Sequence, residues 1–325
     1  MALVLSEADV RELVPIPDLI DVMERALAAF SSGQVNQPLR TTVEVGPNRD
    51  FFGIMPASIH APAAVGAKLV TVFPRNDAKG LPTHFAIIVL LDPETGATTA
   101  VMDGRYITAA RTAAVSAVSL KHLANTVAVL AIVGSGVQAR SHLEGLCQIT
   151  PIREVRAWSP TPQHLARFVA DASSITSVRV RGAGSAEAAV RGADVVLLAT
   201  SSRTPVIQTD WIDPGTLVIS IGAYRPDMRE MDPELTGRAR VIVDSRAAAL
   251  VEAGDIVQGV REGRFTPAHV VAELGEVILG RITGRKTADD VVIFKSLGMA
   301  VEDVATAQLA YTRARERGKG LEISL

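Results

Sequence analysis

The stretch Val-Ala-Val-Leu-Ala-Ile-Val-Gly-Ser-Gly-Val-Gln-Ala, residues 127–139, decides the fold. Its first seven residues, 127–133, have the length and unbroken hydrophobicity of a strand that is buried on both faces. Gly134 and Gly136 follow in the pattern G-x-G-x-x-A and open a helix. At such a turn the glycines let a pyrophosphate approach the amides of the helix N-terminus. The stretch therefore predicts a dinucleotide-binding turn.

The residues that follow repeat this alternation of apolar runs and helix-length connections. The later runs are 155–158, 178–180, 195–199, 217–221 and 241–243. Six such runs predict a doubly wound parallel sheet, a Rossmann-type α/β domain of about 116–300. The alternative at Gly134 is an ordinary strand-to-helix turn, and the alternation after it argues against that alternative.

The flanking residues predict a second, discontinuous α+β domain made of 1–115 and 301–325. Ser6 and Asp9 have the spacing of a capped helix start. Short β-rich runs then lie at 41–45, 67–73, 85–91 and 98–102, separated by Pro, Gly, Asn and Asp. A last amphipathic helix from residue 300 to about 315 is expected to return to this domain.

The composition excludes several kinds of partner. The 325 residues contain 33 Lys and Arg against 35 Asp and Glu, so the formal net charge is −2. This balance argues against general binding to nucleic acid or anionic membranes. The single cysteine, Cys147, cannot form an internal disulfide. Without a basic leader or a membrane-length apolar run, we expect a cytoplasmic protein with no nucleic-acid, membrane or metal partner.

The end of the second predicted strand bears on the choice of cofactor. An acid at this position would bind the ribose 2′-hydroxyl of NAD and repel the 2′-phosphate of NADP. The chain instead has Ser159, Pro160 and Thr161, which offer two hydroxyls and no acid. This loop favours NADPH over NADH. Arg140 and Arg156 are nearby candidates for a phosphate contact, and a solvated surface position is the alternative for each.

Three cations lie in stretches that are otherwise poor in charge: Arg40, Lys68 and Arg111. Burying such a side chain without a partner is costly, so each requires an anion. Taken singly, each is equally compatible with an ordinary ion pair or with a side chain that reaches the surface. Together they suggest a pocket for a carboxylate, in which the arginines supply planar two-pronged contacts and the lysine a point charge.

Four motifs resemble the ornithine cyclodeaminase and mu-crystallin family in order and spacing. They are Met-Asp-Gly-Arg-Tyr-Ile-Thr-Ala-Ala-Arg-Thr-Ala-Ala-Val-Ser-Ala at 102–117, Val-Gly-Ser-Gly-Val-Gln at 133–138, Ile-Gly-Ala-Tyr-Arg-Pro-Asp-Met-Arg-Glu-Met-Asp at 221–232, and Phe-Lys-Ser-Leu-Gly-Met-Ala-Val-Glu-Asp at 294–303. The resemblance covers nearly the whole chain. It implies a homodimer whose first domain supplies substrate and dimer contacts, with a Rossmann domain that holds NAD or NADP.

The resemblance also implies roles for single residues. Arg40, Lys68 and Arg111 match the family's ligands for the substrate carboxylate, with Tyr224 and Leu297 also expected on the substrate side. His84 is expected near the nicotinamide, where it positions or protonates substrate or is a structural histidine. The expected cofactor contacts are Thr83, Gly134, Gly136, Val137, Gln138, Ser159, Thr161, Thr200, Gly222, Met228 and Ser296.

The chain departs from true cyclodeaminases at two positions where the family carries acids. Tyr224 stands where an aspartate is expected, and Gly53 stands where an acid precedes the Met-Pro pair. Deamination of ornithine relies on a carboxylate base. Asp227 lies close in sequence, but a turn or capping role suits it better. Reduction of a preformed iminium requires only a clamped carboxylate and a well-placed hydride.

We therefore expect NADPH or NADH to reduce the C=N bond of a cyclic ketimine, such as 1-pyrroline-2-carboxylate or 1-piperideine-2-carboxylate. The products would be L-proline or L-pipecolate. One alternative is an alanine-dehydrogenase-like reductive amination of 2-oxo acids, and another is ornithine cyclodeamination. A third is a non-catalytic binding protein of the mu-crystallin type.

Overall fold

The computed structural model describes residues 1–48, 50–125 and 127–324. These form two compact units, one of Met1–Thr112 with Met299–Leu325 and one of Ala113–Gly298. The observed boundaries follow Thr112 and Gly298, and those expected from the sequence, after residues 115 and 300, lie three and two residues further along the chain. The roles assigned to the two units, substrate and dimer contacts for one and dinucleotide binding for the other, stay predictions.

The first part of the chain contains helices and most strands of one sheet. Its elements are β1 (Ala2–Leu5), α1 (Glu7–Leu13), α2 (Ile16–Ser31), β2 (Val35–Asn36), β3 (Thr41–Val45), β4 (Asp50–Ile59), β5 (Ala64–Val72), β6 (His84–Leu91), β7 (Thr98–Asp103) and α3 (Arg105–Leu123).

The remainder supplies a second sheet and a final helix and strand. Its elements are β8 (Val129–Val133), α4 (Val137–Ile149), β9 (Glu154–Trp158), α5 (Pro162–Ala172), β10 (Arg179–Gly182), α6 (Ala186–Val190), β11 (Val195–Leu198), β12 (Leu217–Ser220), α7 (Pro233–Arg238), β13 (Arg240–Val243), α8 (Arg246–Glu252), α9 (Gly254–Arg261), β14 (Val270–Glu273), α10 (Leu274–Ile278), β15 (Val292–Lys295), α11 (Ala300–Arg317) and β16 (Leu321–Ile323).

The sheet of the first unit has the order β16-β1-β7-β6-β5-β4-β2, with β3 paired to β4. Its neighbours are antiparallel except for the parallel pair β1 and β7. The ten-residue strand β4 was not predicted, because Gly53 and Pro56 interrupt its pattern. Pro56 is tolerated because it pairs with Ala67 of β5 on one side and falls between the segments paired with β3 and β2 on the other.

One face of this sheet is covered by helices. The helix α11 packs against α2 and against β4, β5 and β6. Along β5 the residues alternate in burial, and Ala64, Gly66, Lys68 and Val70 all lie on the buried face. The strand period of two therefore places the Lys68 side chain on the side of the sheet that α11 covers.

The second unit contains the doubly wound sheet that the sequence predicts. Its order is β10-β9-β8-β11-β12-β15-β13-β14, and every pair is parallel. The sequence predicted six strands, and the described sheet has eight. The two extra strands are β14 and β15, which lie on either side of β13 in the order β15-β13-β14.

The core of this sheet is a row of apolar side chains that cross the strands in register. Ile132, Leu197, Ile219 and Phe294 are neighbours on adjacent strands, and each is completely buried. Such strands, covered on both faces, explain the unbroken apolar runs of the sequence. In the part of the chain that the structure describes, no helix has both the length and the apolar character that crossing a bilayer requires.

Candidate functional site

The glycine turn lies at the carboxyl end of β8, in the middle of the second unit's sheet. The N–H of Gly134 donates to the carbonyl of Trp158 at 2.8 Å. Gly134 has a φ of +123°, and a Cβ at this position would lie 2.4 Å from the carbonyl oxygen of Ala199. Only glycine therefore permits β8 to turn between the ends of β9 and β11.

The helix α4 begins directly after this turn. Gly136 is its N-cap residue, has no side chain to bond the first amides, and has no atom within 4 Å of the place where a Cβ would lie. Val137 is 70% exposed, and Gln138 is half-buried. Uncapped amides with open space in front of them suit a pyrophosphate, so the turn fits a dinucleotide.

The end of β9 carries hydroxyls, as the sequence indicated. Ser159 is buried and accepts a hydrogen bond from Ser135 Oγ at 3.0 Å, while Thr161 is the N-cap residue of α5. Both candidate arginines have partners elsewhere. Arg140 pairs with Asp171 at 2.7 Å, and Arg156 contacts Glu154 at 3.0 Å and the carbonyl of Arg191 at 2.8 Å. The preference for NADPH therefore stays a prediction from the loop alone.

Three further cofactor candidates lie in loops at the carboxyl ends of β11, β12 and β15. The backbone N–H groups of Thr200 and Gly222 both donate to the buried carboxylate of Glu230. Ser296 Oγ donates to Asp244 Oδ2 at 3.0 Å. The carboxyl ends of a doubly wound sheet are where such folds bind their ligands, so these loops are at the expected edge.

The remaining candidates of the second unit lie in the same loops. The N–H of Leu297 donates to Asp244 Oδ2 at 2.6 Å, and that of Gly298 donates to the same atom at 2.7 Å. Met228 is buried, and its carbonyl accepts from Gln258 Nε2 at 3.0 Å. Tyr224 is half-buried and packs against the core of the sheet.

The cations Lys68 and Arg111 come together in the first unit, although 43 positions separate them in the sequence. Lys68 Nζ lies 2.6 Å from Asp303 Oδ2, and Arg111 Nε lies 3.0 Å from Asp303 Oδ1. Arg111 also contacts Glu302 Oε2 at 2.6 Å. All four side chains are at least 96% buried. Asp303 thus bridges the two cations at the start of α11.

These contacts change one expectation. Buried Lys68 and Arg111 each require an anion, and the chain itself supplies two, Glu302 and Asp303. The ion-pair alternative is therefore realised for both cations. Burial alone would raise the pKa of Asp303, but Arg111 and Lys68 hold it below its usual range. Asp303 is consequently a permanent counter-charge and a poor base.

The surroundings of the pair are electrostatically positive. Burial lowers the pKa of Lys68 to about 8, although Asp303 raises it, and the charges of Arg111 and Arg40 lower it further. His84 has a pKa of about 4, firstly because of burial and then because Lys68 and Arg111 repel a further positive charge more than Asp303 attracts one. His84 is therefore neutral near pH 7.

Arg40 lies in the loop that follows β2. Its charge lowers the pKa of Lys68, so it lies close enough to add to the positive field. In the same loop, Gln37 accepts the backbone N–H of Val301 at 2.9 Å, which ties the loop to the start of α11. One turn of α11 thus contacts both the Lys68–Arg111 pair and the loop of the third cation.

The structure also locates the residues that differ from the cyclodeaminase pattern. Gly53 is buried in β4, and a Cβ there would lie 3.1 Å from Val70 Cγ1, so the position has little room for a longer side chain. Thr83 precedes β6, and its carbonyl accepts the N–H of Phe73 at 2.8 Å.

Three acids, Glu302, Asp303 and Glu230, were not among the site residues predicted from the sequence. All three lie inside the motifs that resemble the family, and their place in those motifs was the available signal.

The doubly wound sheet with its glycine turn places the chain in the class of Rossmann-type dinucleotide-binding folds. The model of the ornithine cyclodeaminase/mu-crystallin family matches residues 1–318. The chain belongs to that family.

Individual relatives agree with this. The ketimine reductase mu-crystallin of Rattus norvegicus is 44% identical over 299 residues, which cover 90% of this chain and 91% of the relative. The structure of Thermococcus litoralis Δ1-pyrroline-2-carboxylate reductase in complex with NADH and L-proline has a TM-score of 0.96, with 36% identity over 99% of this chain and all of that one. An archaeal alanine dehydrogenase dimer with bound NAD has a TM-score of 0.94, with 32% identity over 99% of each chain.

The glycine turn gives the first testable prediction. Gly134→Ala places a Cβ against the carbonyl of Ala199, so we expect a lower Tm without cofactor and loss of NADH binding. Gly136→Ala meets no atom of the chain, so we expect an unchanged Tm but an NADH affinity at least about tenfold weaker, because the methyl group occupies the place of the pyrophosphate. Thermal unfolding and NADH fluorescence measure the two effects. Wild-type NADH affinity in Gly136→Ala would remove this turn from the cofactor site.

The lowered pKa of Lys68 gives a second prediction. Lys68 is charged below pH 8 and neutral above it, so a carboxylate ligand should bind more weakly as the pH rises through about 8. The Kd of pyrrole-2-carboxylate, measured from about pH 6 to about pH 10, should increase on the alkaline side. In Lys68→Met the affinity should be lower and should lose this dependence. A wild-type Kd that stays constant over the whole range would show that Lys68 does not contact the carboxylate.

Proposed function

We propose that this chain is an NAD(P)H-dependent reductase of cyclic ketimine carboxylates. The substrate class is that of 1-pyrroline-2-carboxylate and 1-piperideine-2-carboxylate, and the products are L-proline and L-pipecolate. The observation that carries the proposal is the buried Lys68–Arg111 pair, which Glu302 and Asp303 hold in one place. The relatives support it, since one is a ketimine reductase and the structure of another is a complex with NADH and L-proline.

The proposed contacts assign a task to each described cation. Arg111 and Arg40 supply planar guanidinium groups to the substrate carboxylate, and Lys68 supplies a point charge. The Gly134 turn would hold the dinucleotide, and a bound reduced nicotinamide would supply the hydride for the imine carbon. An iminium substrate already carries the proton on nitrogen that the amine product needs. The chain's residues therefore have only to bind and orient the substrate.

The charge state of the site favours reduction over deamination. A cyclodeaminase needs a carboxylate that accepts a proton from the substrate. Asp303 is held ionised by two cations, and its pKa lies below the usual range, so it is a weak proton acceptor. The positions at which cyclodeaminases carry acids hold Tyr224 and Gly53 instead. These observations favour imine reduction over ornithine cyclodeamination.

A second candidate is the reductive amination of an open-chain 2-oxo acid. The likeness to the archaeal alanine dehydrogenase favours it, because the match covers 99% of both chains. Arg40, Lys68 and Arg111, here called the cation cluster, would bind the carboxylate of a 2-oxo acid as well as that of a cyclic ketimine. The two activities differ in one requirement, since only the open-chain reaction consumes ammonia or an amine.

A substrate panel tests the function directly. We expect oxidation of NADPH or NADH with 1-pyrroline-2-carboxylate and 1-piperideine-2-carboxylate in the absence of ammonia. The loss of absorbance of the reduced nicotinamide measures this oxidation. Oxidation only with pyruvate plus ammonia would replace the proposal by the alanine-dehydrogenase activity. Ammonia release from ornithine with catalytic NAD would establish cyclodeamination. Binding of cofactor without turnover of any of these compounds would favour a binding protein.

Substitutions in the cation cluster test how substrate is held. Arg111→Lys keeps a charge facing Glu302 and Asp303 but loses the planar contact, so we expect the KM for the imine to rise at least about tenfold. Arg40→Ala should raise KM similarly. Arg75→Ala, at a side chain 63% exposed, is the matched control and should leave KM unchanged. If neither Arg111→Lys nor Arg40→Ala changes KM, the cluster does not bind the carboxylate.

We also propose that the chain acts as a homodimer in the cytoplasm, with a dimer interface on the first unit. The sheet face opposite α11 carries cross-strand rows that consist of apolar side chains with one threonine in each row. The rows are Val43, Phe52, Thr71 and Phe85, and Thr41, Ile54, Leu69 and Ile87. Val43, Phe85 and Ile87 are 51%, 41% and 46% exposed. Such a contiguous exposed apolar face is typical of an interaction surface.

A charge placed on this face should break the dimer. We expect Ile87→Asp to sediment as a monomer where the wild type has twice the mass of one chain, because a carboxylate cannot be buried there without a partner. Val251→Asp replaces a valine that is 54% exposed in the second unit, and it should remain dimeric. A dimeric Ile87→Asp would move the interface elsewhere.

A further inference from the structure

Glu230 is a completely buried carboxylate in the loop after β12. Its Oε1 accepts the N–H of Thr200 at 2.7 Å and the hydroxyl of Thr200 at 2.9 Å. Its Oε2 accepts the hydroxyl of Ser220 at 2.9 Å and the N–H groups of Gly222 at 2.8 Å and Ala223 at 3.2 Å. Both carboxylate oxygens therefore act as hydrogen-bond acceptors, and the donors lie at the ends of two different strands, β11 and β12.

Two further charges hold Glu230 in this position. Lys295 Nζ donates to Ser220 Oγ at 2.9 Å and lies 3.3 Å from Asp255 Oδ2. Asp255 Oδ1 accepts the backbone N–H groups of Glu230 and Met231 at 2.8 and 2.9 Å. Burial raises the pKa of Glu230, and the charge of Lys295 opposes this effect. Lys295, Asp255 and Ser220 therefore join the Glu230 side chain to its own backbone in a closed network.

The two loops tied together by Glu230 are in van der Waals contact. A Cβ on Gly222 would lie 2.0 Å from the carbonyl oxygen of Thr200 and 2.4 Å from Glu230 Oε1. No side chain fits between the loops, so their separation is set by the backbone and by the carboxylate beneath them. A change at Glu230 must therefore alter the relative position of Thr200 and Gly222.

The topology of the sheet identifies what these loops face. In a doubly wound sheet the pyrophosphate lies at the first glycine turn, here at Gly134 after β8, and the adenosine half extends over the strand that follows, here β9. The strand order reverses at β8, with β11 and β12 on its other side. The nicotinamide half of a bound dinucleotide would therefore be expected over the carboxyl ends of β11 and β12, where Thr200 and Gly222 are.

We infer that Glu230 is a positioning residue for the nicotinamide ring of the cofactor, acting through the Thr200 and Gly222 loops. The inference rests on the proposed function, because it assumes that the chain binds a nicotinamide dinucleotide. Glu230 itself touches neither the cofactor nor the substrate in this assignment. It sets the distance between two backbone segments that the ring contacts.

Comparison of NADH with ADP-ribose tests the inference, because ADP-ribose lacks only the nicotinamide ring. Glu230→Gln places an amide N–H₂ group against backbone donors whichever way the amide is turned. Ser220→Ala removes one hydrogen bond to the carboxylate and the acceptor of Lys295 Nζ, but it leaves the backbone donors in place and is the milder variant. In both we expect NADH to bind about tenfold more weakly or worse, while the Kd of ADP-ribose stays within about twofold of the wild type.

Asp194→Asn is the matched control. Asp194 Oδ2 also accepts two backbone N–H groups, those of Ala128 at 2.7 Å and Val129 at 2.8 Å, but it lies at the amino end of the sheet. This variant should lose stability without changing the ratio of the two affinities. If Glu230→Gln does not fold, Ser220→Ala gives the result. An equal loss of NADH and ADP-ribose affinity, or no loss of either, would overturn the inference. Wild-type protein that binds ADP-ribose but shows no NADH binding would instead overturn the proposed function.

Discussion

The pairing of Lys68 and Arg111 with Glu302 and Asp303 is the interaction on which the first unit depends. Removing one partner of a buried ion pair leaves an uncompensated charge, which costs on the order of 3–5 kcal/mol. The four groups join a strand of the sheet, the helix α3 and the start of α11, so none of these elements can move without separating charges. The cations are therefore held in place before any substrate arrives.

This arrangement gives the cations a chemical role that they would lack on a surface. An ion pair in solvent is weak and screened, whereas these groups act in an environment of low dielectric. Burial is the main cause of the lowered pKa of His84, but Lys68 and Arg111 lower that pKa further, each by more than Asp303 raises it, so the net effect of these three charges at His84 is positive. In the proposed function a substrate carboxylate would meet these ordered cations, while Asp303 stays ionised because its pKa is held low. Such a site suits reduction of an imine better than chemistry that needs a base.

The second unit uses carboxylates in a related way, but their partners are mostly backbone amides. Asp244 accepts the N–H groups of Leu297 and Gly298, and Glu230 accepts those of Thr200, Gly222 and Ala223. Loops at the ends of parallel strands expose amides that have no partner in the sheet. A buried acid satisfies several of them at once and gives the loop one conformation, which a cofactor-binding edge requires.

The sequence by itself determined the doubly wound unit, the glycine turn after β8 and the three cations. Each is a local pattern, because strand burial, turn geometry and an isolated charge all depend on residues that are close together in the sequence. Only the tertiary structure decided which acids pair with the cations, since Arg111 and Glu302 are 191 positions apart. It also decided the places of β14 and β15 in the sheet and the contacts of Glu230. Periodicity reports which face of an element is buried, but the partner across that face is set by how distant segments pack.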